Sequence, residues 1–135
     1  MKSSRQRERE PRVADGSDPL ERGRKHYELR AWAGACDELA RADRQAPLQA
    51  EDLERLALAT YLVGRDEEYL RTLERAHNAH LSAGQCARAV RCAFWLGFRL
   101  LMRGEMGRAS GWLGRAQRLL EQEAHECAEH GYLLL

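Results

Sequence analysis

Histidine, cysteine and glutamate are the side chains that bind metals or move protons near neutral pH, and this chain groups them twice. Glu74, His77 and His80 stand at i, i+3 and i+6, and His125, Cys127 and His130 lie close together further on. Neither group has the His-Glu-x-x-His or paired Cys-x-x-Cys spacing of a zinc site, and residues two apart on a helix point away from each other. We therefore expect no metal and no cofactor at either place. The four cysteines, Cys36, Cys86, Cys92 and Cys127, are dispersed and read as reduced packing residues. The glycines are scattered within helical patterns, so no phosphate-cradling loop, dinucleotide fingerprint or nucleophile turn occurs. These residues predict a noncatalytic protein.

Charge offers a second kind of chemistry. Between Ala83 and Arg118 stand seven arginines (Arg88, Arg91, Arg99, Arg103, Arg108, Arg115 and Arg118) against one acid, Glu105, whereas residues 119–130 hold four Glu and no Lys or Arg. Such asymmetry is one footprint of nucleic-acid binding. A nucleic-acid-binding domain is therefore one alternative reading, and a small ligand or metal sensor built on the His and Cys residues is another. The arginines point around several helix faces, however, and no base-stacking motif accompanies them. We expect solvated faces or ion pairs with the acidic helix that follows, no direct nucleic-acid binding, and tolerance of Arg115→Ala.

The elements that position these residues follow a repeat. Gly23, Ala35, Leu39 and Ala42 recur as Ala57, Tyr69, Leu73 and Ala76 at an offset of 34, then as Gly97, Ala109, Leu113 and Ala116 at an offset of 40. Gly131 lies 34 beyond Gly97, so the period resumes after one six-residue insertion, placed around His77 to Gln85. A period of this length marks stacked helix pairs, each burying its apolar face against the next. The pattern predicts three pairs over 18–47, 48–82 and 85–123. Ser17 or Asp18 is the expected first cap and Asp66 a later one, the first turn falls near Arg30 and Ala31, Pro47 ends the first pair, and Gly64 and Gly104 end the first helices of the later pairs. A last helix is expected to start near Ala124 and to stop within the apolar run Tyr132 to Leu135. That ending reads as a truncated fourth repeat able to self-associate. Met1 to Ser17 is charged, lacks an apolar h-region and reads as a disordered tail. With 44% apolar and 32% charged residues and no apolar run near the roughly 18 that span a bilayer, the expectation is a soluble cytoplasmic protein of one domain with no membrane contact.

Leu56-Ala57 and Leu96-Gly97 in the first helices, Gly64 and Gly104 before the second helices, and Ala109, Leu113 and Ala116 in a second helix resemble the tetratricopeptide repeat family. Arg30 and Tyr69 depart from the family's Gly and Ala. More narrowly, LERGRKHYELRAWAGACDELARAD, CAFWLGFRLLMRGEMGRASGWLGRAQRLLE and GYLLL look like the N-terminal repeat region of actinobacterial LuxR-type transcriptional regulators, in which a helix-turn-helix domain, not found in these residues, lies at the far C-terminus. The resemblance implies a right-handed all-α solenoid that holds a protein or peptide partner. The strips that would line its inner groove are Arg24 and Tyr27, then Leu58, Tyr61 and Leu62, then Arg91, Phe94, Phe98 and Leu101. They are apolar and aromatic, which suits an apolar or amphipathic segment of another protein. The competing reading makes Phe94, Trp95 and Phe98 part of the core.

Overall fold

Asp18 accepts a hydrogen bond from the Glu21 N–H at 3.0 Å, and Pro19 occupies the first helical position, where its missing N–H costs nothing. This opens α1 (Pro19–Glu28). It is followed by α2 (Trp32–Gln45), α3 (Ala50–Leu62), α4 (Asp66–Ser82), α5 (Cys86–Met102) and α6 (Met106–Glu129). This computed structural model describes residues 18–129, with side chains to 125; among them the fold is all-α, without a strand. The expected tail over 1–17, the His130 of the second candidate cluster, Gly131 and the apolar end Tyr132 to Leu135 lie outside the described residues. No described helix is long and apolar enough to cross a membrane.

Four helix ends share one backbone solution. Arg30, Gly64, Gly84 and Gly104 have φ of +61°, +86°, +75° and +81°. The next residue in each case returns an N–H to a carbonyl five positions back: Ala31 to His26, Arg65 to Thr60, Gln85 to His80 and Glu105 to Leu100, at 2.8–2.9 Å. This is the Schellman closure, in which a left-handed residue lets the last carbonyls of a helix find donors. Arg30, Gly64 and Gly104 occupy equivalent positions of the repeat, so the first turn keeps its geometry although its residue is not glycine. Pro47 stops α2 differently: Ala46 before it is extended at φ −159°, ψ 138°, as the proline ring requires.

Two expected boundaries move. Asp66 is the first helical residue of α4 and not its cap; the carbonyl of Arg65, which accepts the Tyr69 N–H at 2.9 Å, holds the cap position. The break expected near Ala124 is absent, because α6 runs unbroken from Met106 to Glu129. Nothing between Gly114 and Glu129 is proline or glycine, so propensity gives the helix no reason to stop. The insertion is absorbed by helix and not by a loop. α4 continues six residues past Ala76, whereas α2 ends three past the equivalent Ala42; α5 begins eleven before Gly97, whereas α3 begins seven before Ala57.

The chain forms two compact units, one ending at Tyr69 and the other starting at Leu70. In the first, α1 and α2 make a hairpin against which α3 packs, around Ala35, Cys36, Leu39, Leu53 and Leu56. In the second, α5 and α6 make a hairpin around Ala93, Leu96, Leu100, Ala109 and Ala116. Both hairpins cross at the same repeat position. A Cβ on Gly23 would lie 2.7 Å from the Leu39 side chain and 3.0 Å from its backbone nitrogen; one on Gly97 would lie 2.6 Å from the Leu113 side chain and 3.2 Å from its backbone nitrogen. The helices therefore touch backbone to backbone at these glycines, and each leucine covers the gap.

Candidate functional site

The close crossing and the exposed aromatics lie on different faces of α5. Val90, Ala93 and Gly97 pack against Trp112, Leu113, Ala116 and Leu119 of α6, and Ala93 and Gly97 are small where the helices approach closely. The large aromatics stand on the other side: Phe94, Trp95 and Phe98 are 45%, 47% and 42% exposed. Among the described residues they lie at the surface and not within the hairpin. The three rings hold one another, with Phe94 and Trp95 5.3 Å apart at 75°, Trp95 and Phe98 5.8 Å apart at 89°, and Phe94 stacked on Phe98 at 6.3 Å. Leu101 and Met102 extend this exposed apolar stripe, and Arg91 stands on it one turn before Phe94. A preassembled aromatic cluster loses little rotamer freedom on binding, which is what an anchor site needs.

In the first unit the remaining groove candidates are placed less uniformly. Leu58, Tyr61 and Leu62 are exposed on α3, and the Tyr61 ring leans on Tyr69 at 5.0 Å. Tyr27 is half-buried, its ring edge-on to Trp32 at 5.4 Å. Arg24 is committed elsewhere. Its Nε and Nη2 donate to the two carboxylate oxygens of Asp52 at 2.9 and 2.6 Å, and Arg55 donates to the same carboxylate at 2.8 Å. Asp52 is only 2% exposed. Burial pushes its carboxyl up, but the hydrogen bonds and charges of Arg24 and Arg55 outweigh burial and hold it below the ordinary carboxylate value. A cleft of about 300 Å³ beside this pair is lined in part by Asp18, Gln45 and Gln49. Sequence reading missed Asp52, because its partner lies 28 residues away and no local spacing announces it.

Of the metal-type residues, His77 is held by the protein itself. His77, fully buried on α4, has Nδ1 at 2.7 Å from the Ala89 carbonyl of α5 and Nε2 at 2.8 Å from Arg115 Nε of α6, with Trp112 edge-on to the ring at 5.3 Å. Both ring nitrogens are in use. Glu74 is exposed, and so is His125 of the second cluster. His80 and Cys92, both buried, bring a ring nitrogen and a thiol within 4.8 Å of each other. Cys36, Cys86 and Cys92 form no disulfide among the described residues, and burial raises the thiol of Cys36 above its ordinary value.

The arginines also find partners. Arg103 and Arg108 both pair with Glu105 at 2.9 Å, within the turn and first helical residues. Arg115 is half-buried and hydrogen-bonded to His77, which corrects the expectation that it is a dispensable surface charge. The fold and surface define an all-α protein of helical hairpins whose outward face on α5 is aromatic. Comparison of the chain with protein-family models and with curated proteins finds no match.

Proposed function

We propose that this chain is a noncatalytic tetratricopeptide-like interaction module, a right-handed solenoid of helix pairs serving as the partner-binding part of a LuxR-type transcriptional regulator in the cytoplasm. The observation that carries the interaction half is the self-braced, exposed ring cluster of Phe94, Trp95 and Phe98. Exposed apolar patches of this kind find partners, and aromatic anchors contribute most of the affinity where they bind. The equivalent glycine crossings at Gly23 and Gly97 and the equivalent turns at Arg30, Gly64 and Gly104 support the repeat reading. The quoted strings alone support the regulator reading. Direct nucleic-acid binding is disfavoured because Arg103, Arg108 and Arg115 already serve protein groups.

Displayed random peptides selected against the full chain test the reading. Apolar or amphipathic binders are expected, weakened about thirtyfold or more by Phe94→Ala, Trp95→Ala or Phe98→Ala, since an anchor carries about 2 kcal/mol. Binding of duplex DNA that falls steeply with salt and ignores these substitutions would favour the nucleic-acid alternative. For the regulator half, the DNA downstream of the Leu135 codon is expected to encode a helix-turn-helix.

A further inference from the structure

A single imidazole ties three helices of the second unit together. His77 belongs to α4, the carbonyl it reaches belongs to Ala89 of α5, and the guanidinium that reaches it belongs to Arg115 of α6. The partners fix its protonation state. A carbonyl only accepts, so Nδ1 carries the hydrogen; a guanidinium only donates, so Nε2 must offer a lone pair. The arrangement therefore works only with a neutral ring. A proton added at Nε2 points at the Arg115 N–H, where two donors and two positive charges would meet at 2.8 Å beside a fully buried ring.

We propose that His77 is a proton-controlled latch: neutral, it clamps α6 to α4 and α5 through Arg115 and Ala89; protonated, it expels Arg115 and loosens α6. The groups facing the ring set the direction. From α5 the hydrogen bond to the Ala89 carbonyl favours the cation; from α6 Arg115 opposes it; from α4 itself Glu74 favours the cation and His80 opposes it. Burial is the largest influence and, together with Arg115, holds the imidazole below its ordinary value of 6.5. Trp112, edge-on to His77 with the Arg115 guanidinium 6.0 Å from its ring centre, sits where the rearrangement would be felt. This inference stands apart from the partner-binding reading, since the latch is on the buried side of the helices.

The test is an imidazole ¹⁵N titration of the full chain from pH 8 to 4.5, with amide hydrogen exchange of α6 corrected for intrinsic rates. At pH 8 the His77 signals should be those of the Nδ1–H tautomer. Protonation should occur below 6.5, and α6 protection should fall by up to tenfold per pH unit below 6.5 until His77 has titrated. Arg115→Met, which keeps the stem and removes the charge, should raise the His77 titration and flatten the acid response of α6. His77→Phe should leave α6 protection unchanged between pH 7.5 and 5.5. If either variant does not fold, the wild-type titration still decides. An Nε2–H tautomer, titration of His77 without loss of α6 protection, or an acid step that survives in His77→Phe overturns the latch.

Discussion

At the scale of single residues, the least expected device is a charged side chain in a glycine's place. Arg30 adopts φ +61° and completes the same closure that Gly64 and Gly104 complete without a side chain. A left-handed conformation costs a non-glycine residue about 1–2 kcal/mol, and glycine gives back part of that relief through a more flexible unfolded chain. Arg30→Gly is therefore expected to stabilise the protein by about 0.5–1 kcal/mol, read as a higher urea midpoint at unchanged slope. A lower midpoint would mean that the Arg30 side chain contributes a contact worth more than its strain. Asp52 shows the opposite relation to sequence. Its repeat position says nothing about a buried carboxylate, and only folding brings Arg24 to it.

At the scale of elements, glycine has two unlike roles in α5 and α6. Gly97 lies at a backbone crossing where an added methyl meets Leu113, whereas Gly111 faces open space in the interior of α6. Alanine should help both by about 1 kcal/mol through helix propensity, but at Gly97 overpacking costs about 1–3 kcal/mol. Because Leu113's backbone nitrogen as well as its side chain stands in the way, repacking cannot relieve the clash. Thermal melts should place Gly97→Ala below the wild type and Gly111→Ala above it. The reverse order would mean the hairpin is not held at that crossing. In the repeat, Gly97 aligns with Gly23 and Ala57, all small, while Gly111 aligns with Asp37 and Arg71.

At the scale of the whole molecule, two buried groups shape the response to acid. Asp52 has its carboxyl lowered in the folded state, so its contribution is full above the ordinary carboxylate range and drains as pH falls below about 4 toward the folded value. His77 has its imidazole lowered, so it costs nothing above 6.5; below that the unfolded chain takes the proton first, and stability falls until the folded value is passed. Urea midpoints from pH 8 to 3 should thus show two descents, each no steeper than about 1.4 kcal/mol per pH unit per proton. His77→Phe should remove the upper descent, and Asp52→Asn should shrink the lower one. A single descent confined below pH 5 would contradict the burial and pairing of His77.

The chain's local chemistry determined the all-helical class, the places where helices turn, and the small residues at the crossings, because caps, prolines, glycines and apolar periodicity act over distances of a few residues. The 34-residue offset carried that information even to Arg30, whose residue type argued against a turn. Three things waited for the tertiary structure. The aromatics of α5 face outward while the close crossing at Gly97 is filled by Leu113. The length of α6 could not be read because it lacks a stop signal before Glu129. Asp52 with Arg24 and His77 with Arg115 are pairs 28 and 38 residues apart, joined by how helices pack and therefore invisible to any local pattern.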